Sequence, residues 1–312
     1  MEKIIFMGTP KFSVPILQAL IDDEGVEVAA VVTQPDRKVG RKQVITPPPV
    51  KQLATEYDIK VLQPEKISGS DEMQEILDLD PDLIITAAYG QFVPTKLLHA
   101  PTHRAINVHA SLLPKYRGAA PIHYAVLKGE EKTGITIMYM EKVMDAGNII
   151  SQREIPITHA DDTGTLFEKL SLLGRDLLMD TLPSIFAGEN ESIVQNEDDV
   201  TFSPMITKEQ ERIDWTRTAE EIFNHVRALR PRPGAYTMLD GDRFKLWGAE
   251  VANIETDKEP GTVEAIDNKN LYIACGEGTV LSLTEVQPAG KKRMPVVNYL
   301  SGTDLEVNDQ FD

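Results

Sequence analysis

The sequence predicts an α/β protein: a mostly parallel sheet with helices on both faces, followed by a small β-barrel. Three observations predict it. The chain has 312 residues, which suits two domains of about 100–200 residues each. Its first part alternates short apolar runs with stretches of helical periodicity, the pattern of strand–helix–strand crossovers. Its last part carries short alternating strands at close spacing, the pattern of a small barrel.

The elements follow in order. Residues 3–7 read as a buried strand, and residues 12–21 put Val14, Leu17, Leu20 and Ile21 at helical spacing. Residues 26–32 form a second strand, 50–57 a helix and 60–62 a short strand. A helix over 71–79 ends at Asp80-Pro81, because proline disfavours helical geometry in the residue before it. Strands over 83–88 and 104–109, a helix over 121–127, strands over 134–140 and 148–157, and a long helix over 165–186 complete a Rossmann-like first domain. From about residue 188 the chain turns polar, as in Gly188-Glu189-Asn190-Glu191-Ser192 and Asn196-Glu197-Asp198-Asp199. A helix over 219–230 carries Ile222, Phe223, Val226 and Leu229 on one face. Strands over 235–239 and 243–247 flank Asp240-Gly241, a hairpin signal, and strands over 262–266, 270–274 and 280–286 follow. The expected organisation is a first domain over 1–188, a linker over 189–208 and an OB-like barrel over 209–312.

Composition narrows the function. One cysteine, Cys275, rules out an internal disulfide and a thiolate zinc cluster. No stretch approaches the roughly 20 apolar residues of a membrane span. The chain opens Met1-Glu2-Lys3 and runs directly into a strand, without the apolar run and cleavage site of a secretory leader. A cytoplasmic protein with no membrane partner is expected, and a monomer. A net charge of −17 opposes general nucleic-acid binding, which rests on phosphate contacts. The exception is the loop from Gln34 to Lys51, where Arg37, Lys38, Arg41, Lys42 and Lys51 face Asp36 alone. From residue 205 onward, 13 basic residues against 19 acidic ones leave the tail at −6, so an RNA surface there needs a local facet. Arg227, Arg230 and Arg232, or Lys291, Lys292 and Arg293, are the candidates.

Ligands of parallel sheets bind beyond the carboxyl ends of the strands, and there the strand 104–109 carries Asn107 and His109. Alternation along a strand puts both on one face. An apolar loop follows, Ser111-Leu112-Leu113-Pro114, and Asp145 comes between two later strands. By themselves these residues leave two readings open. A histidine at a strand end is often a structural hydrogen-bonding group, and Asp145-Ala146-Gly147 is also turn chemistry. Dinucleotide binding is not indicated, because Gly8-Thr9-Pro10 lacks the Gly-X-Gly-X-X-Gly pattern. No metal is expected: His99 and His103 are four apart, but Pro101 breaks the helix that would align them.

Asn107-X-His109 followed by Ser111-Leu112-Leu113-Pro114-X-Tyr116-Arg117-Gly118-Ala119-Ala120-Pro121-Ile122, with Asp145 at the matching distance, resembles the 10-formyltetrahydrofolate-dependent formyltransferases. Phe6-Met7-Gly8-Thr9-Pro10, Thr33-Gln34-Pro35-Asp36-Arg37, Ala88-Tyr89-Gly90 and Gln287-Pro288-Ala289-Gly290-Lys291-Lys292 are similar to the branch that formylates methionyl-tRNA. The resemblance runs from the first strand to about residue 294. It implies a catalytic first domain, a tRNA-binding second domain, 10-formyltetrahydrofolate as formyl donor and initiator methionyl-tRNA as acceptor, for translation initiation. It implies direct transfer without metal, with Asn107, His109 and Asp145 catalytic. Asn107 and His109 are expected to donate to the oxyanion, and Asp145 to hold His109. The folate is expected against Ser111, Leu112, Leu113, Pro114, Tyr89 and Gly90. The tRNA acceptor end is expected against Arg41, Lys42 and Arg37. A formyltransferase for another amine, a formyltetrahydrofolate hydrolase and an RNA-binding protein with an inactive site are the alternatives.

Overall fold

The computed structural model describes residues 1–40 and 42–312. The chain divides into two compact units. The first holds residues 1–121, 132–155 and 167–202; the second holds 122–131, 156–166 and 203–312.

In chain order the elements up to residue 186 are β1 (Glu2–Gly8), α1 (Val14–Asp22), β2 (Val26–Val32), β3 (Arg37–Val39), β4 (Val44–Thr46), α2 (Pro49–Glu56), β5 (Val61–Leu62) and α3 (Asp71–Asp78). Then come β6 (Leu83–Ala87), α4 (Thr95–His99), β7 (Ala105–His109), α5 (Pro121–Leu127), β8 (Lys132–Tyr139), β9 (Ile149–Pro156) and α6 (Thr163–Phe186). Local chemistry sets the ends. In α1 a proline occupies the first turn, where its missing N–H costs nothing. In α3 the Ser70 hydroxyl accepts from Met73 N at 3.1 Å, and Asp71 and Glu72 sit at the positive end of the helix dipole.

The main sheet has the order β5-β2-β1-β6-β7-β8-β9. Pairing is parallel from β5 to β7 and antiparallel between β7 and β8. β1 and β6 are buried along Ile4–Gly8 and Leu83–Ala87, as befits parallel strands covered on both sides. One face carries Ile5, Met7, Val32, Ile84 and Ala105 into a core closed by Ile76 of α3 and Leu97 and Leu98 of α4. On the other face, Gly174 of α6 lies close against Val108 and Ile135 of the sheet and Ile16 of α1. The helices thus cover both faces, as the alternation predicts.

The sequence pattern missed the β3–β4 hairpin and α4. The hairpin is built from residues that are mostly exposed, so no buried face imposes period-two apolar alternation. The five residues of α4 include only two apolar ones, Leu97 and Leu98, too few to establish a helical period. Residues 190–202 belong to the first unit: Ile193 bridges to Ile149, and Phe202 to Arg117.

The second unit contains α7 (Ala219–Ala228), β10 (Ala235–Leu239), β11 (Asp242–Ala252), β12 (Val263–Ile266), β13 (Leu271–Ala274), β14 (Val280–Gln287), β15 (Met294–Pro295) and α8 (Val296–Leu300). Thr218 and Glu221 form a capping box at the start of α7. The sheet is antiparallel in the order β10-β11-β14-β13-β12, with β15 beside β14. β11 continues past Trp247, the end that apolar alternation predicts, because register shifts on either side of Gly248 carry it on to Ala252. Ile222, Phe223, Val226 and Leu229 pack into its core with Phe244, Leu246, Leu283 and Phe311. The segment 156–166 joins this unit through Arg227, whose guanidinium donates to the Thr158 and Asp161 carbonyls at 2.9 and 3.3 Å.

Candidate active site

The strand order branches at β1, with β2 on one side and β6 on the other. Beyond the carboxyl ends of two such strands is the ligand position of an open parallel sheet. The loops leaving this edge are tied together. Thr9 Oγ1 donates to the Tyr89 carbonyl at 2.8 Å, Gln34 Nε2 donates to the same oxygen at 3.3 Å, and Ser13 Oγ donates to the Ala87 carbonyl at 2.6 Å.

Next to β6, β7 carries Asn107 and His109 on the face shared with Ala105. Asn107 is half-buried. Its Oδ1 accepts from Thr86 Oγ1 at 2.7 Å, which turns the Nδ2 donor the other way. Thr86 is itself buried, with Met140 Sδ 3.2 Å from its hydroxyl. A threonine on the neighbouring strand therefore sets the amide's orientation.

The loop after β8 turns back over this face and brings Asp145 to His109. Asp145 Oδ1 is 3.6 Å from His109 Nδ1, with side chains only 11% and 6% exposed. That distance is too long for a direct hydrogen bond, but both side chains are largely removed from solvent, so the carboxylate faces the imidazole with little screening. His109 Nε2 donates to the Tyr116 carbonyl at 3.0 Å. A carbonyl can only accept, so Nε2 carries a proton. Asp145 Oδ2 accepts from Gly118 N at 2.8 Å. Asn107, His109 and Asp145 are thus brought together. The imidazole, however, is turned toward Tyr116 and Asp145, and of the two expected oxyanion donors it is Asn107 Nδ2 that has no partner among the described residues.

Three non-glycine residues around this cluster have left-handed backbones: Ala88 at φ 50°, Tyr116 at 62° and Asp145 at 54°. Each such conformation costs on the order of 1–3 kcal/mol and persists only where neighbours over-determine it. Tyr116 N donates to Thr201 Oγ1 at 2.9 Å, and Arg117 N to the Thr201 carbonyl at 2.9 Å. A methyl group at Gly147 would fall on the Tyr139 carbonyl, so the Asp145 loop needs glycine there.

The expected folate loop is held from β8 and β9. Thr136 Oγ1 donates to the Ser111 carbonyl at 2.7 Å and accepts from Leu113 N at 3.1 Å and Gln152 Nε2 at 2.8 Å. Gln152 Nε2 also donates to the Leu113 carbonyl at 2.8 Å. The backbone groups of Leu113 and the carbonyl of Ser111 are therefore engaged within the chain. Ser111 Oγ donates to the Lys115 carbonyl. Leu113 is buried as a core residue, whereas Leu112 and Pro114 are half-buried. Tyr89 sends its ring into the apolar core, with its hydroxyl unpartnered among the described residues, and burial raises its pKa. It offers the loop edge only its backbone, beside exposed Gly90.

Within the basic loop, β3 and β4 pair antiparallel, Arg37 opposite Thr46 and Val39 opposite Val44. Arg37 pairs with Glu65 at 3.0 Å and Lys51 with Asp36 at 2.9 Å. The Asp36 carboxyl is held below its usual range by hydrogen bonds from Gln63 and Lys51. Lys38 and Lys42 are exposed. Arg41 lies outside the described residues. Val39, Val44 and Ile45 add an exposed apolar surface that the charge count did not reveal. No group of three His, Cys, Asp or Glu side chains suited to a metal occurs among the described residues, and no helix there is long and apolar enough to cross a membrane.

Sequence reasoning missed Thr86, Thr136, Gln152, Gln195 and Thr201. Each is a polar residue whose partner is between 16 and 85 positions away. Only strand parity hinted at Thr136, which pairs with His109 across β7 and β8.

Residues 2–182 match the family model described as formyl transferase, and residues 205–304 match its C-terminal domain. A methionyl-tRNA formyltransferase of Enterococcus faecalis is 58% identical over 310 residues, 99% of each chain. One of Lysinibacillus sphaericus is 56% identical over 313 residues, covering both chains fully. The crystal structure of an N-formyltransferase from Helicobacter canadensis, in complex with folinic acid and dTDP-3-aminofucose, is similar at a TM-score of 0.70 and 20% identity. That match covers 92% of this chain and 100% of the other, and shows a shared fold.

Proposed function

The chain belongs to the formyltransferase family, and from that premise we propose that it transfers the formyl group of 10-formyltetrahydrofolate to the amino group of methionyl initiator tRNA. The observation that carries the chemistry is the His109–Asp145 contact at 3.6 Å, beside the Asn107 amide on the same strand face.

The substrate amine attacks the formyl carbon. A C–N bond forms to the methionine nitrogen, and the bond from the formyl carbon to folate N10 breaks. One proton moves from the amine to N10, so the atoms balance without a metal or a covalent enzyme intermediate. Asn107 Nδ2 donates to the oxyanion of the tetrahedral intermediate; a donor of this kind is worth about 2.7–4 kcal/mol of transition-state stabilisation. The His109–Asp145 pair takes the amine proton and returns it to N10. Positioned acid–base groups contribute about 10²–10⁴-fold.

In this reading residues 1–188 carry the catalytic groups, 189–208 lead on from them with 190–202 packed as part of the first unit, and 209–312 bind tRNA. Leu112, Pro114 and the backbone of Tyr89-Gly90 line the folate slot, closed below by Ser111 and Leu113. Arg37, Arg41 and Lys42 approach the tRNA phosphates, and the enzyme works in the cytoplasm as a monomer.

The test is to incubate the protein with 10-formyltetrahydrofolate and methionine-charged initiator tRNA. Formylmethionine on the RNA is expected. Formate released without tRNA, or formylation of an amino sugar and not of the tRNA, overturns the proposal.

A further inference from the structure

We infer that Gln195 is a positioning residue of the transfer reaction, fixing Asp145 from behind. The inference rests on the reading of Asp145 and His109 as the pair that handles the proton.

Gln195 is 4% exposed and spends its whole amide on this site. Nε2 donates to the Asp145 carbonyl at 2.7 Å and to the Gly147 carbonyl at 2.8 Å. Oε1 accepts from Arg117 Nε at 3.0 Å. One carbonyl is that of Asp145 itself and the other lies two residues on, so binding both with one planar amide fixes the backbone where it leaves the turn. That backbone is left-handed, a conformation that relaxes unless neighbours hold it. The carboxylate aimed at His109 depends on it.

The other end of the amide reaches the second support of the imidazole. Arg117 follows Tyr116, whose carbonyl accepts from His109. The Arg117 guanidinium continues to Glu197 at 2.9 Å, and the main chain at Thr201 fastens Tyr116 and Arg117. Gln195 therefore joins the loop that presents Asp145 to the loop that presents the Tyr116 carbonyl. Both partners of His109 are registered through one side chain. It touches no group assigned to substrate, so its effect falls on the chemical step. Misplacing a catalytic group by about 1 Å can cost about 10²-fold in rate.

The experiment uses the full chain with 10-formyltetrahydrofolate and methionyl-tRNA, and measures kcat and both KM values. Gln195→Leu keeps the volume and removes the amide. Gln195→Glu keeps the shape and the acceptor facing Arg117 but has no donor for the two carbonyls. Both variants are expected to lower kcat by about 10- to 100-fold, with each KM within about threefold of the parent. A Gln195→Glu enzyme with parental kcat overturns the inference, and so does a loss confined to KM. If Gln195→Leu fails to fold by circular dichroism, Gln195→Glu decides alone. Asp145→Ala gives the separation from the underlying reading. An active Asp145→Ala enzyme removes the pair and this inference with it, whereas an inactive one beside fully active Gln195 variants removes the inference alone.

Discussion

His109 Nε2 donates to the Tyr116 carbonyl at 3.0 Å, and Tyr116 holds that carbonyl from a left-handed backbone at φ 62°. One imidazole nitrogen is thereby fixed as a donor, and the other is left facing Asp145. His109→Ala and Asp145→Ala are each expected to lower kcat by at least about 10²-fold, the lower end of what positioned acid–base groups contribute. Thermal unfolding should remain cooperative in both. Near-normal turnover in either variant, measured by formylmethionine formation, would remove that residue from the chemistry.

The Thr86–Asn107 bond predicts an effect from a residue outside the set of Asn107, His109 and Asp145. Thr86→Val keeps the shape of the side chain but removes the donor to Asn107 Oδ1. The amide is then free to rotate, and kcat is expected to fall less than in Asn107→Ala. For Asn107→Ala the expected loss is about 10²–10³-fold. Equal activity of Thr86→Val and the parent enzyme would show that the amide orients itself.

Thr136 holds the loop of residues 111–113 with one hydroxyl. Thr136→Val leaves the Ser111 carbonyl without its donor and Leu113 N without its acceptor. An unsatisfied buried group costs about 1–3 kcal/mol, so denaturant midpoints should fall and the KM for folate should rise. The KM for tRNA should change little. A variant with reduced stability and an unchanged folate KM would separate this loop from folate binding.

Arg41→Ala and Lys42→Ala are each expected to raise the KM for tRNA several-fold, leaving folate KM within about twofold. Removing a cation that neutralises a phosphate should also flatten the salt dependence of tRNA binding by roughly one unit of slope. Arg37→Ala should do less, because its pairing with Glu65 competes for the guanidinium. Equal losses toward both substrates would contradict a tRNA role.

Cys275 gives a pH prediction. Burial pushes its thiol from 9.0 up to about 12, and its side chain is 1% exposed. The folded state therefore holds the proton more tightly than the unfolded chain does. This contribution is complete below about pH 9 and is lost as the pH rises from there toward about 12, at about 1.4 kcal/mol per unit. Urea unfolding between about pH 8 and 11 should show a shallower alkaline decline for Cys275→Ala than for the parent. Parallel declines would mean the thiol is not the titrating group.

Elements whose burial writes a period into the chain can be read from it directly. The apolar runs of β1, β2 and β6, the helical spacing of α1 and α7, and the Asp240-Gly241 turn are legible because each is a local response to a buried face or a required dihedral. Asn107 and His109 share a face by strand parity alone, and the motif they open carries the family resemblance. Which way those groups point depends on the folded chain. The Thr86 donor, the Tyr116 carbonyl, the left-handed Asp145 and the Gln195 amide behind it come from segments far apart in the chain. A hydrogen bond between distant residues leaves no periodicity in either segment, so no reading of one strand or loop can contain it.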